Sequence, residues 1–214
     1  VWWYGEELRT IFVGSIDKHD HILEAESATT TTVLECGDGS IQYSESYSKK
    51  TLQKGMTDNQ IVQEIIKDMP EITKGAMEFP KDRVLPRGKT LMGSSRDELT
   101  RIADRNGCDW SIQDGQLVFV PKNKVLPDSY GYLLSQDSGM VGSPQKQGDG
   151  GLSVRTFLNT SIYVNSLVRV KSMINDYNGD YKVTDIEFKL STVGQDWHQL
   201  NGLVGGNFQV IEKS

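Results

Sequence analysis

The stretch from Gly88 to Lys122, GKTLMGSSRDELTRIADRNGCDWSIQDGQLVFVPK, decides the reading of this chain, because every local signal in it agrees. Ser95 and Glu98, three residues apart, have the form of a capping box, whose side chains satisfy free N–H groups at a helix start. Leu99, Ile102 and Ala103 then recur at helical spacing, while Arg96, Asp97, Arg101, Asp104 and Arg105 face elsewhere. Gly107 follows and offers the positive φ on which helices close. Trp110 and Ile112, the tetrapeptide Gln113-Asp114-Gly115-Gln116, and the run Leu117 to Val120 have the pattern of a hairpin turning on Asp-Gly. With the short run Thr90-Leu91-Met92 ahead of the helix, this predicts a compact β-α-β-β unit. No residue in it has the setting of a catalytic group.

Upstream, Val1 to Tyr4 and Arg9 to Ile16 read as strands joined around Gly5-Glu6-Glu7, with Asp17 to Asp20 as the next turn. The β-branched tract TTTTVL, Thr29 to Leu34, predicts a further strand closed by Cys36-Gly37-Asp38-Gly39, and Ile41 to Tyr47 another. Thr57 with Gln60 is a second capping box, opening an amphipathic helix that carries Ile61, Val62, Ile65, Ile66 and Met69 and stops at Pro70. Downstream, Pro121, Pro127 and the polar run Ser143 to Gly151 are loop or linker signals. Leu152 to Leu158 and Ser166 to Ser172 read as strands, and Asn178-Gly179 as a hairpin turn. On the return strand, Tyr181 and Val183 are out of phase with Ile186, Phe188 and Leu190. This one-residue slip predicts a β-bulge near Thr184-Asp185. Trp197 to Val204 supplies the last paired strand.

The expected fold is therefore α+β and mainly β. Residues 1–53 form a β meander, residues 54–127 an α/β domain, and residues 128–214 a second, barrel-like β domain.

Composition narrows the function. At 214 residues the chain is long enough to bury a real core. Its net charge of −6 is uneven: residues 1–53 carry 4 basic and 9 acidic side chains, residues 54–127 carry 12 and 11. No part is basic enough to hold nucleic acid by counterion release. Cys36 and Cys108 are too few for a disulfide framework or a four-cysteine zinc site, so both are expected as buried thiols. No run approaches the roughly 20 apolar residues of a membrane span. The chain does not open on Met, and a preceding part of a longer protein is expected.

The candidate constellations are weak. His19-Asp20-His21, with Asp17 beside it, is the nearest approach to a metal cluster, yet it reads more simply as a solvated turn. The glycines at 148–151 and 202–206 lack the Lys-Ser/Thr of a phosphate loop and read as turns. Glu24 and Glu26 are a carboxylate pair of the kind used in glycoside cleavage, although paired acids on a strand face are usually solvated. Trp2, Trp3, Trp110 and Trp197 are a possible sugar-stacking set, with core or subunit packing as the default. No catalytic residue, cofactor site or metal site emerges.

The segment DELTRIADRNGCDWSIQDGQLVFVPK, then LLSQDSGMVGSPQ, then SLVRVKS with NGDYKVTDIEFKLSTVGQDWHQL, resembles the late control protein D family of bacteriophage baseplate hubs. The resemblance implies small β-barrel-like tube domains with α/β pieces between them, assembled as a homotrimer whose six barrels match the sixfold tail tube. It also implies a structural, non-enzymatic protein of the virion tail, put together in the host cytoplasm. Its partners would be the tail tube or tube-initiator protein, the central spike and other baseplate proteins, with DNA only as passing cargo. Phe157, Tyr163 and Trp197 are the expected interface residues. The Gly88 to Pro121 unit is also similar to a LysM module, which implies peptidoglycan binding, and a tail-associated cell-wall hydrolase is the enzymatic alternative.

Overall fold

The computed structural model describes residues 2–4, 7–9, 12–24, 29–126, 131–148, 150–191 and 197–211. Its contacts divide the chain into two compact units, one of residues 12–119 and the other of residues 1–11 together with 120–214.

The chain opens with a short antiparallel hairpin, β1 (Trp2–Tyr4) and β2 (Glu7–Arg9). A longer one follows, β3 (Ser15–Glu24) against β4 (Thr29–Gly37), hydrogen-bonded to no other described strand. The expected turn at Asp17 to Asp20 is thus the first half of a strand. Its charges are absorbed because each faces solvent or a partner across the ladder. After Gly39, in the left-handed region at φ 67°, the chain forms helix α1 (Ser40–Glu45) rather than the expected strand. The helix closes its first turn with Tyr43 N–H donating to Gly39 O at 2.8 Å, and the tertiary contact that favours it is the Tyr43 ring stacked on Trp110 at 4.8 Å.

The central α/β core is built from β5 (Tyr47–Leu52), α2 (Asp58–Ile66), β6 (Thr73–Met77), β7 (Lys89–Ser94), α3 (Ser95–Asn106), β8 (Cys108–Gln113) and β9 (Gln116–Pro121). The expected elements from Thr90 to Val120 all form, in order. However, β7 pairs antiparallel with β5, whereas the β8–β9 hairpin pairs with β6 in the order β6-β9-β8. The hairpin turns on Asp114 and Gly115, both at positive φ, as an Asp-Gly turn requires. The apolar stripes of both helices meet the sheets: Val62, Ile65, Leu99, Ile102, Leu91, Leu117 and Phe119 are at most 1% exposed.

The capping expectations split. At Thr57 both halves of the box form, with Gln60 N–H donating to Thr57 Oγ1 and Thr57 N–H to Gln60 Oε1. At α3 the N-cap is Ser94 and no side-chain cap bond forms. Ser95 Oγ instead meets Ser48 Oγ at 2.9 Å, and Glu98 binds Lys89 at 2.9 Å and Arg101 at 2.6 Å. Both side chains were drawn off by tertiary partners. Gly107 closes α3 at φ 68° as expected.

In the second unit β10 (Lys124–Val125), β11 (Tyr132–Leu134), β12 (Gln145–Lys146), β13 (Leu152–Thr156), β14 (Leu167–Val170), β15 (Gly179–Lys189), β16 (His198–Gly205) and β17 (Gln209–Val210) follow in turn. Six of them form one sheet in the order β11-β14-β15-β16-β13-β12; β10 pairs with β17. The polar run from Ser143 is the β12–β13 hairpin, closed by Gln147 N–H to Gly151 O at 2.9 Å. The expected bulge is present, with the β15–β16 register shifting between Val183 and Asp185. Gly202 and Gly205 lie inside β16 rather than in a turn. Gly202 serves the bulge, since a Cβ there would come within 2.1 Å of Asp185 Oδ1. Leu152, Val154, Val168, Val170, Val183 and Leu203 fill the core on one sheet face.

Candidate functional site

The β3–β4 hairpin is the most unusual surface of the first unit. Its register pairs His19 with Leu34, Asp20 with Val33, His21 with Thr32 and Ile22 with Thr31, after a bulge between Ile16 and Lys18. Alternation then sorts the side chains into two faces. One carries Lys18, Asp20, Ile22, Val33 and Glu35. There Lys18 Nζ lies 2.8 Å from Asp20 and 3.6 Å from Glu35, and the Asp20 hydrogen bond, then the Glu35 charge, raise its pKa. The other carries His19, His21, Leu23, Leu34 and Cys36 and no formal charge. At the base, Ser40 Oγ donates to Asp17 Oδ2 at 2.8 Å, and Gly37 leaves the room this needs, since a Cβ there would overlap Ser40.

Large apolar side chains on this hairpin stay in water. Ile16 is 60% exposed, Leu23 70%, Leu34 52% and Ile22 50%. A two-stranded ribbon of this kind is marginal alone and is ordinarily covered by another strand, sheet or helix. Cys36 is exposed here, against the expectation of a buried thiol, because no other described strand pairs with its hairpin; Cys108 is buried in the α/β core as expected. The sequence reading missed this surface. The β-branched tract TTTTVL was legible as a strand, but nothing local marks a strand whose apolar side chains stay exposed.

The three residues expected at an interface fall in the second unit. Phe157 is 64% exposed and lies along Gly139, to whose carbonyl its N–H donates at 2.9 Å. Tyr163, in the same β13–β14 loop, is 52% exposed. Trp197 is half-buried, heads β16, and donates its indole N–H to Ser191 O. The loop and the strand are tied by Asn159 N–H to Gln199 Oε1 at 2.8 Å, where Gln199, Asn201 and Thr156 form a buried hydrogen-bonded group. Met173 at 79% and Ile174 at 44% expose a further apolar pair at the β14–β15 turn.

The chemical candidates are dispersed. His19 and His21 share a face, but Asp20 points to the other, against Lys18. Among the described residues no three His, Cys, Asp or Glu side chains converge in a metal-binding group. Glu24 ends β3, and Glu26 lies outside the described residues. Trp110 stacks between Tyr43 and Phe119 and donates to Thr100 Oγ1 at 3.2 Å, a packing role. No described helix is long and apolar enough to cross a membrane.

Comparison with known proteins bears on this arrangement of exposed strands. The fold matches a 43 kDa tail protein of prophage MuSo2 from Shewanella oneidensis with a TM-score of 0.65 and 12% identity, over 91% of this chain and 76% of that one. It matches the tail protein from Neisseria meningitidis MC58 with a TM-score of 0.63 and 12% identity, over 90% and 79%. A third match is the Escherichia coli c3393 protein, a type VI secretion component described as similar to the T4 tail proteins gp27 and gp5. Its TM-score is 0.56 at 10% identity, over 90% of this chain and 60% of that one. No curated protein sequence matches significantly. The model of the family described as "Baseplate hub gp41" matches residues 4–200, nearly the whole chain. The chain belongs to the baseplate hub gp41 family, structural proteins of the phage tail.

Proposed function

We propose that this chain is a non-enzymatic hub subunit that assembles as a homotrimer, adapts the sixfold tail tube to the central spike and lines a passage for DNA. It would reside in the virion baseplate after assembly in the host cytoplasm, in contact with the tube or tube-initiator protein, the spike and other baseplate proteins. The observation that carries this reading is the β3–β4 hairpin, in which nine cross-strand pairs form and neither strand pairs with any other described strand, while Ile16, Leu23 and Leu34 remain more than half exposed. Unpaired edges and bare apolar faces are hazards in a monomer and interfaces in an assembly. Phe157, Tyr163 and Trp197 are proposed as further interface residues. The acidic balance of residues 1–53 suits a wall that lets DNA slide rather than holding it.

Light scattering coupled to size exclusion tests the proposal. Three chains per particle at micromolar concentration is the expected result, and a stable monomer across that range overturns it.

A further inference from the structure

We infer that His19 and His21 form a two-imidazole site for a borderline transition-metal ion, Zn²⁺, Cu²⁺ or Ni²⁺, on the uncharged face of the β3–β4 hairpin. Three observations carry it. First, the residues are not in a turn: they occupy alternate positions of β3, so both side chains project from one face by the strand's own period. Their ring centroids lie 5.7 Å apart at an interplanar angle of 66°. Two imidazoles on one ion at metal–nitrogen distances of about 2.0–2.1 Å place their centroids roughly 4.5–5 Å apart, so small side-chain rotations close the pair on an ion.

Second, one ring is already oriented. His21 Nδ1 lies 3.0 Å from Thr32 Oγ1, its cross-strand partner. In the tautomer whose Nδ1–H donates to that hydroxyl, Nε2 keeps its lone pair for the ion. This is the outer-sphere arrangement that ordinarily fixes a ligating histidine. Third, the surroundings select the class of ion. Leu34 faces His19, and the nearby carboxylates of Asp20 and Glu35 are on the opposite face with Lys18. A pair of neutral imidazoles without carboxylate favours zinc, copper or nickel over calcium or magnesium.

Two protein ligands leave further positions on the ion open to water or to a donor from another chain. In an assembled hub the ion would then strap hairpins of neighbouring subunits together, a consequence that rests on the proposed assembly, whereas the site itself does not.

The test uses the untagged full chain. Calorimetric titration with Cu²⁺, Ni²⁺ and Zn²⁺ should show saturable uptake of at most one ion per chain. Changing His19→Asn or His21→Asn should weaken it at least tenfold each, while His198→Asn leaves it unchanged. Ca²⁺ and Mg²⁺ should not bind. In case a variant misfolds, Cu²⁺ added to the unaltered chain should broaden amide resonances of residues 18–22 and 31–35 first. Uptake that both hairpin variants retain, uptake abolished by Cys36→Ser alone, or broadening centred elsewhere overturns the site. Particle size, measured separately with and without metal, reports on the hub assembly and not on the site.

Discussion

The β3–β4 hairpin and the β14–β15–β16 wall are built from the same materials and end in opposite states. Both are antiparallel, rich in β-branched residues and interrupted by a one-residue register shift, at Ile16/Lys18 in one and Val183/Asp185 in the other. Next to each shift an aspartate is turned toward a glycine on the facing strand, Asp17 toward Gly37 and Asp185 toward Gly202. In the wall, one face buries Val168, Val183 and Leu203 to 2% exposure or less, whereas in the hairpin Leu34 and Leu23 remain more than half exposed. Alternation thus specifies a strand and its bend, and only the surrounding layers decide whether its apolar face is core or interface.

The largest expected effect tests that distinction directly. Val183→Asp places an unpaired carboxylate in a fully buried site, a cost above about 4 kcal/mol, which is a large share of the roughly 5–15 kcal/mol that stabilises a domain. The cooperative thermal transition of the second unit should fall by about ten degrees or more, on the order expected of such a cost. Leu34→Asp, at a site already 52% in water, should change chain stability by no more than about 0.5 kcal/mol while reducing self-association in sizing experiments. If both variants melt alike, the hairpin is part of a monomer core and the contrast fails.

Charges sharpen the same contrast. Asp58 is 1% exposed, forms a two-point ion pair with Arg105 and accepts from Asn106 Nδ2 at 2.8 Å. Removing it leaves the half-buried Arg105 guanidinium and the buried Asn106 amide without their acceptor, so Asp58→Ala should cost about 1–3 kcal/mol in urea unfolding. Asp20, paired to Lys18 at the surface of the hairpin, should be replaceable by Ala with almost no change in the same measurement.

A smaller effect separates the two helix starts. Thr57→Ala removes an observed cap and should cost about 1 kcal/mol. Ser94→Ala should be silent in the same unfolding curves, because the Ser94 side chain caps nothing.

These helix starts also show how far local sequence reaches. The Thr57 box, the Gly107 stop, the Asp114-Gly115 turn and the Thr184-Asp185 bulge were legible because each is decided within a few residues. The Ser95–Glu98 box failed because Ser48, 47 residues away, and Lys89 compete for the same side chains. Ile41 to Glu45 became a helix through Tyr43 stacking on Trp110, a contact no window of the sequence contains. The pairing of β7 with β5 instead of the following hairpin was equally invisible, since strand order is set by long-range packing. Of the three expected interface residues, Phe157 and Tyr163 are more than half exposed and Trp197 is half-buried. The hairpin's bare face was not found, because exposure is a statement about missing neighbours.

The smallest effect concerns the cross-strand ion pairs on the two solvent faces. Arg169 holds Asp180 through Nε at 2.6 Å and Nη2 at 2.8 Å, and this hydrogen bonding lowers the pKa of Asp180 below its ordinary value of 3.8. A depressed folded-state pKa stabilises the native chain above the unfolded value, and that share is lost as pH falls through the folded value. The melting difference between the unaltered chain and Asp180→Asn should therefore be flat near neutrality and shrink on acidification below about pH 4, and added salt should reduce it. Lys18 behaves with the opposite sign. Its pKa is raised above 10.5 by Asp20 and Glu35, so its contribution is present below that value and disappears only as pH rises beyond it. In an NMR pH titration the Lys18 side chain should accordingly have its midpoint above the ordinary lysine value of 10.5, and Asp20→Ala should lower that midpoint. Because Arg169 forks onto one carboxylate while Lys18 is shared between two, the wall's pair should also hold its geometry to higher salt. Equal salt sensitivity at both sites would mean that neither pair is held by its sheet.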